Sequence, residues 1–494
     1  MLDVTIVSVA IGIYLIINVL IGWWSKEKAK TVEGWMLGRR MFGPVVVAFA
    51  YFATRLSASA YIGEPAWCYS YGWPYHWIGV FNAAFWTAAV LLMTGRLRDY
   101  SFGLRTLTVP EFLGERYQSA TLRVYTSALL VLFYLLMIYA QLKGVVSLLN
   151  VTIGTAPMWA IIIFAIIVMI YVILGGYVSV IYTDVFQGIL MVIFAVVIFG
   201  VSFAAVGFSY ANVETQLNMI NPALNSFSQG WAGISATPLF SDLGVICLPF
   251  YLFISLVTNP YCAVRFMSLK DSRGSTIFKF TATLITTGLV TFLLYNAGLF
   301  ARILYPNLPN ADYAIPTLVA NLVPGAVGAV LVTALFAAMM STVSGLLMVC
   351  NTSVAKDIYH RTINPNAPEF KVNLIGKVTA AVVTLIAVIL SFIALPEFLS
   401  YILFIAAGGS GILTLAPLIF GLYWDRSTKY GAISSSVIGV GIFAYLRLIY
   451  PINLWVSGVL AGSISVIVMI IVSILTKPVD KSILEAMRKP IEAA

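Results

Sequence analysis

Charged side chains are scarce in this sequence. They make up 10% of its 494 residues, against about 25% in a soluble globular domain. Apolar residues reach 61%, and the mean hydropathy is +0.97. These figures exclude a water-soluble enzyme, a secreted disulfide scaffold and a disordered interaction chain. Histidine is rarer still, with only His76 and His360. No HExxH, GxSxG or clustered His/Asp pattern is present, which argues against a membrane enzyme. The four cysteines, Cys68, Cys247, Cys262 and Cys350, lie in or near apolar runs without metal or redox spacing. We read them as structural.

What the sequence does have is long apolar runs. A helix needs about 20 mostly apolar residues to cross the hydrocarbon core. Thirteen candidate spans follow, at about 5–24, 43–71, 75–95, 124–150, 157–176, 181–207, 243–263, 280–300, 317–353, 378–395, 399–423, 431–448 and 454–476. The runs are continuous rather than alternating, so the spans are helices and the chain is an all-α polytopic membrane protein. The basic residues then sort by side. With residue 1 outside, 24 of the 28 lysines and arginines fall in inside loops, Arg265 and Lys270 among them. Arg302 and Arg447 fall outside, and Arg55 and Lys143 lie within spans. This bias predicts an outside N-terminus and a cytoplasmic C-terminus. It also accounts for the net charge of +9 by topology and anionic lipid, without nucleic acid.

Three stretches depart from a regular apolar helix, and transporters place their sites at such departures. In 52–65, Ser57, Ser59, Gly63, Glu64 and Pro65 surround Arg55. Small, polar and proline residues favour an unwound stretch whose free carbonyls can bind a cation; close helix packing is the alternative. In 337–345, Ser341, Thr342 and Ser344 cluster on an otherwise apolar span. Sodium takes hydroxyl and carbonyl oxygens, although such hydroxyls also bond their own helix. In 175–187, Asp184 and Gln187 share a helix face. The acid is a coupling-ion ligand, the partner of a buried cation, or an interfacial residue.

These segments resemble a known family. Gly175-Gly176 with Thr183-Asp184 and Gln187, the run Ala337-Ala338-Met339-Met340-Ser341-Thr342 with Ser344, Trp424 to Gly431 and Pro260 to Asp271 are similar to hallmarks of the sodium/solute symporter family. The resemblance covers about 1–477. Its nearest branch is the pantothenate symporters, through Leu56 to Gly63, Ala263-Val264-Arg265 and Lys270-Asp271. The resemblance implies a LeuT-like core of two inverted five-helix repeats in one membrane domain, 1–494. The leading helix is 5–24, the repeats are 43–207 and 243–423, two extra helices fill 431–476, and a cytoplasmic tail covers 477–494. The first helix of each repeat, 43–71 and 243–263, would be broken. Carried over, the sodium site comprises the Ala53, Leu56 and Ala338 carbonyls with the Ser341 and Thr342 hydroxyls. A second ion or proton site maps to Asp184, Ser341, Ser344 and Gly345, but Gly345 lacks the hydroxyl. Asp184 there takes a proton or a salt bridge instead.

Arg55 and Lys143 depart from the family pattern. A buried cation costs roughly 2.5 kcal/mol or more and needs a counter-ion. Glu64 and Asp184 are the acids on offer. Either both pairs are structural, or Arg55 binds an anionic cargo through its planar fork. The expected substrate contacts are Arg55, Ser57, Lys143, Asn82, Gln141 and Asn259, with Tyr251 and Phe404 as gates. The chain is thus expected to be a monomeric, sodium-coupled importer of a small organic anion in a bacterial inner membrane. A neutral or zwitterionic solute, or a sodium-independent or proton-coupled carrier, is the alternative. A passive channel would need rings of like residues, and none is visible.

Overall fold

A computed structural model describes residues 2–154, 158–225, 242–270, 275–285, 290–392 and 399–488. Arg273 and Lys489 lie outside the described residues, as does the Asn82 side chain. Among the described residues, everything with regular structure is helical apart from one isolated bridge between Phe42 and Leu269. The principal helices are α1 (Val4–Ser25), α2 (Pro44–Arg55), α3 (Glu64–Tyr71), α4 (Trp73–Gly103), α5 (Ala120–Ile153) and α6 (Met158–Ala205). They continue with α7 (Asp242–Val257), α8 (Pro260–Met267), α9 (Thr291–Leu304), α10 (Gly325–Thr352) and α11 (Glu369–Ser391). The last are α12 (Leu399–Tyr423), α13 (Lys429–Leu448), α14 (Leu454–Leu475) and α15 (Lys481–Arg488).

Among the described residues, eight helices are long and apolar enough to cross a membrane, or ten if each of two bent pairs is one span. The expected span 75–95 falls on α4; of 280–300, the first residues end the helix Ser275–Thr283, 286–289 lie outside the described residues, and 291–300 fall on the shorter α9. The expected pair 157–176 and 181–207 falls on α6, whose course bends where Gly176 takes φ 53°. A Cβ at Gly176 would stand 2.5 Å from the Trp35 ring and from its carbonyl, so both the angle and the space demand glycine.

Local sequence sets the helix ends. The Asp3 carboxylate accepts from the Thr5 N–H at 2.7 Å and the Ile6 N–H at 3.3 Å. Ser119 caps α5 and Thr428 caps α13 in the same manner. Small residues then permit close helix contact. A Cβ at Gly22 of α1 would meet Tyr171 at 2.7 Å, and one at Gly175 of α6 would meet Ser25 at 2.7 Å.

The core is α10. Every residue from Leu331 to Thr352 is buried, as expected of a helix apolar on all sides. Around it lie α1, α5 and α6. The outward faces stay apolar, with Ile13, Ile16 and Leu20 of α1 exposed, the pattern of a lipid-facing surface.

Several arginines assigned to inside loops are stapled to backbone carbonyls. Arg40 donates to the Thr106 carbonyl at 2.6 Å, Arg98 to the Lys270 carbonyl at 2.6 Å and Arg116 to the Gly421 carbonyl at 2.9 Å. One of them needs correction. Arg265 is not a loop residue but sits in α8, fully buried.

Candidate functional site

Both breaks expected from sequence are present. α2 and the stretch Ser59–Tyr71 meet at 64°, and α7 and α8 meet at 48°. At the first break Leu56 is extended, with φ −88° and ψ 93°, and the next helical turn is wide before α3 begins. Side chains take over the freed backbone groups, as burial requires. The Ala58 N–H donates to Gln141 Oε1 at 3.1 Å, and the Ser59 N–H to Ser57 Oγ at 3.2 Å.

The second break is closed by neutral groups. Asn259 Oδ1 accepts from the Tyr134 hydroxyl at 2.6 Å. Its Nδ2 donates to the Ser255 carbonyl at 3.2 Å and to Ser410 Oγ at 3.0 Å. Both amide hydrogens are therefore in use, which leaves Asn259 no free donor for a solute.

Opposite the first break, α10 presents its hydroxyls. Ser341 Oγ donates to the Ala53 carbonyl at 2.7 Å and approaches that of Ala338 at 3.1 Å. Thr342 Oγ1 lies 3.1 Å from the Thr54 carbonyl and 3.3 Å from that of Ala338. Four of the five expected sodium ligands thus converge. The Leu56 carbonyl is outside this hydrogen-bonded group, and the Thr54 carbonyl is inside it. Sequence reasoning missed Thr54; the signal was its place at the C-terminal end of α2, where helix carbonyls lose their partners.

Beside this group lies a fully buried ion pair. Asp184 Oδ2 is 2.9 Å from Arg265 Nη2 and accepts from Thr54 Oγ1 at 2.8 Å. Arg265 Nη2 also donates to Thr54 Oγ1 at 2.7 Å. Ser344 Oγ reaches Asp184 Oδ1 only at 3.5 Å and bonds the Ser341 carbonyl at 2.9 Å. The expected counter-ion scheme changes accordingly: Asp184 pairs with Arg265, not with Arg55 or Lys143. Gln187, three residues on, turns to α1 and donates to Tyr14 Oη at 2.9 Å and to Asn18 Oδ1 at 2.8 Å.

Arg55 ends α2. Its guanidinium lies 4.4 Å from the centre of the Trp86 ring, and Nη1 donates to the Tyr261 hydroxyl at 3.3 Å. Among the described residues no carboxylate forms an ion pair with it. Glu64, fully buried on α3, is near enough to act on it electrostatically and accepts from Tyr295 and, at 3.4 Å, from Ser59.

The model of the sodium:solute symporter family matches residues 35–439. The chain belongs to the sodium:solute symporter family. It is therefore a membrane transporter rather than an enzyme, and sodium is its coupled ion. The sodium/pantothenate symporter of Escherichia coli is 30% identical over 444 residues, covering 88% of this chain and 89% of that one. That of Haemophilus influenzae is 28% identical over 85% of each chain. The osmoregulated proline transporter of Bacillus subtilis is 26% identical over 95% of each. Among solved structures, a sodium-coupled sialic acid symporter in its substrate-bound outward-open state superposes with a TM-score of 0.81 at 19% identity, over 96% of this chain and 99% of that one. A nucleobase-cation-symport-1 family transporter in a closed conformation gives 0.56 at 14% identity, over 92% and 97%. These two likenesses show the shared LeuT-like fold.

The remaining expected contacts of the symporter divide. Gln141 is fully buried at the first break, and its Nε2 finds no hydrogen-bond partner among the described residues. Ser57 is buried there too, 3.4 Å from Ser59 Oγ. Lys143, half-buried on α5, has its amine 5.8 Å from the centre of the Tyr139 ring and takes no acid among the described residues. Tyr251 and Phe404 join an aromatic cluster. Tyr251 donates to the Phe404 carbonyl, Phe404 stacks on Trp67 at 5.5 Å, and Trp455 lies against both, at 5.1 Å from Tyr251 and 5.6 Å from Phe404.

Proposed function

We propose that this symporter imports a small organic anion together with sodium, by alternating access, with Arg55 as the anchor for the anion. The observation that carries the reading is the setting of Arg55. It lies at the first helix break, beside an aromatic face and a phenol, with no ion-pair partner among the described residues. The fully buried acid Asp184 already has Arg265. A guanidinium so placed keeps its planar fork for a carboxylate, and a bound anion would lie next to the residues that take sodium. Ser57, Gln141 and Lys143 would complete the contacts, and Tyr251 and Phe404 would gate access. Ala53, Leu56, Ala338, Ser341 and Thr342 are the proposed sodium ligands.

The proposed setting is a bacterial inner membrane, with a monomer placed N-terminus out and C-terminus in. The basic bias of the loops supports that orientation even with Arg265 removed from the count. Pantothenate transport in the relatives supports an anionic cargo. A zwitterionic cargo, favoured by Glu64 near Arg55 and by the proline transporters among the relatives, is the second reading.

The test is uptake by proteoliposomes under an imposed inward sodium gradient, with pantothenate, other monocarboxylates and proline as probes. Anions should accumulate with sodium and not with choline. Arg55→Gln should lower anion affinity at least tenfold, and Arg55→Lys should restore it only in part, because an ammonium lacks the bidentate fork. Unchanged anion affinity in Arg55→Gln refutes the anchor; accumulation in choline refutes the coupling.

A further inference from the structure

We infer that Arg265 serves as a built-in cation opposite Asp184, so that Asp184 draws in no mobile ion and a single sodium is carried in each cycle. This rests on the reading of the Ala53, Ala338, Ser341 and Thr342 oxygens as the place of the transported sodium.

Two groups of oxygens adjoin at the first break. The group around Ser341 is made of neutral carbonyls and hydroxyls. Among the described residues no charged side chain hydrogen-bonds to it. The group around Asp184 has a formal negative charge, two nearby hydroxyls on Thr54 and Ser344, and total burial. A buried carboxylate among hydroxyls is a strong attractor for a small cation unless one is already there. Here one is. Arg265 Nη2 stands 2.9 Å from Oδ2 and 2.7 Å from Thr54 Oγ1. Nη1 is anchored on the Tyr261 carbonyl of its own helix at 2.9 Å, so the guanidinium is tethered.

Gly345 makes the room. A Cβ at that position would stand 2.7 Å from Thr54 Cγ2, 3.1 Å from Arg265 Nη2 and 3.5 Å from Nη1. Any side chain at 345, including a hydroxyl ligand, would compete with the guanidinium for one volume. The absent hydroxyl and the present arginine are thus two sides of one arrangement.

The two groups also share backbone. The Thr54 carbonyl accepts from Thr342 while its hydroxyl bridges Arg265 and Asp184. The Ser341 carbonyl accepts from Ser344 while its hydroxyl serves the other group. A neutral pair in the second group therefore leaves the first with one full charge to gain, that of a single sodium. With a monovalent anionic cargo the cycle would move no net charge.

The test counts sodium bound to the purified full-length chain, using radioactive sodium as the probe. The parent should bind one sodium per chain. Arg265→Gln should bind two, because the uncovered carboxylate recruits its own, and adding Asp184→Asn to that change should return the count to one. A count of two in the parent overturns the inference while leaving sodium coupling intact. A count of zero overturns the coupling reading beneath it. A count still at one in Arg265→Gln, in neutral and alkaline buffer alike, also overturns the inference. Should Arg265→Gln fail to fold, the parent count and the double variant, whose neutral side chains remove both charges together, decide the matter. The double variant binding no sodium would place the pair inside the transported ion's own site and overturn the inference.

Discussion

Replacing Ser341 by alanine separates an ion-binding hydroxyl from one that merely packs. In the structure the hydroxyl donates to the Ala53 carbonyl at 2.7 Å. On the proposed reading, sodium binding turns that proton away so that oxygen lone pairs, including that of Ser341, face the ion. The substitution therefore acts on both states. From the sodium-bound state it removes a contact to a full charge, worth about 1.5–3 kcal/mol by the scale of charge-assisted hydrogen bonds. From the sodium-free state it removes a neutral bond worth about 0.5–1.5 kcal/mol. Binding feels only the difference, about 1–1.5 kcal/mol, which is roughly 5- to 13-fold in half-saturating sodium. The assay is the sodium dependence of uptake in proteoliposomes at fixed cargo. Ser344→Ala is the internal control: its hydroxyl serves the Ser341 carbonyl and the Asp184 side, so half-saturation should stay where it is. The reasoning is refuted if Ser341→Ala leaves half-saturating sodium unchanged, or if Ser344→Ala shifts it equally.

Gly345→Ala should destabilise the protein by about 1–3 kcal/mol, the usual range for overpacking, because its Cβ would enter the contact shell of Thr54. Thermal unfolding in detergent reads this, and an unfolding temperature equal to that of the parent would count against the packing argument. Gln187→Leu removes the amide that ties α6 to Tyr14 and Asn18 of α1. The stranded buried groups should cost about 1–3 kcal/mol. Faster hydrogen exchange in 4–25 is the expected sign, with half-saturating sodium unaltered; unchanged protection would mean that the network does not hold the leading helix.

Much of the fold is legible from apolar run lengths, because each span must satisfy its backbone internally. The run 399–423 reappears as α12, and 454–476 nearly as α14. The first break was legible as well, since Ser57, Ser59, Gly63 and Pro65 crowd into one apolar stretch with a charge. The partner of Asp184 was not. Arg265 is 81 residues away in sequence, and its neighbour Lys270 made both read as loop residues under the positive-inside rule. A local signal did exist. Tyr261 to Met267 is apolar on either side of Arg265, and an arginine within such a run needs an acid somewhere in space. What single-chain reading lacked was the crossing of α6 and α8 that brings the two together. The surroundings of Asn259 were hidden for a related reason: a polar residue at a break reads as a solute contact, and sequence alone does not show Tyr134, Ser255 and Ser410 around its amide.

The arrangement also explains why cargo and ion would depend on each other. Ala53, Thr54 and Arg55 are consecutive at the end of one helix. The first two give carbonyls to the Ser341 and Thr342 hydroxyls, and the third presents the guanidinium. Thr54 is held from its side chain by the Asp184–Arg265 pair, which fixes one point of the turn while the flanking carbonyls remain free to exchange a hydroxyl proton for an ion. On the proposed reading, sodium entering from the α10 side would draw the Ala53 and Thr54 carbonyls toward itself and so set the direction of Arg55. An anion on Arg55 would in turn favour the backbone course that points those carbonyls at sodium. Because the two effects are one free energy, each ligand must tighten the other by the same factor. A rigid pair at Thr54 is what allows a turn of three residues to transmit that energy instead of relaxing around it.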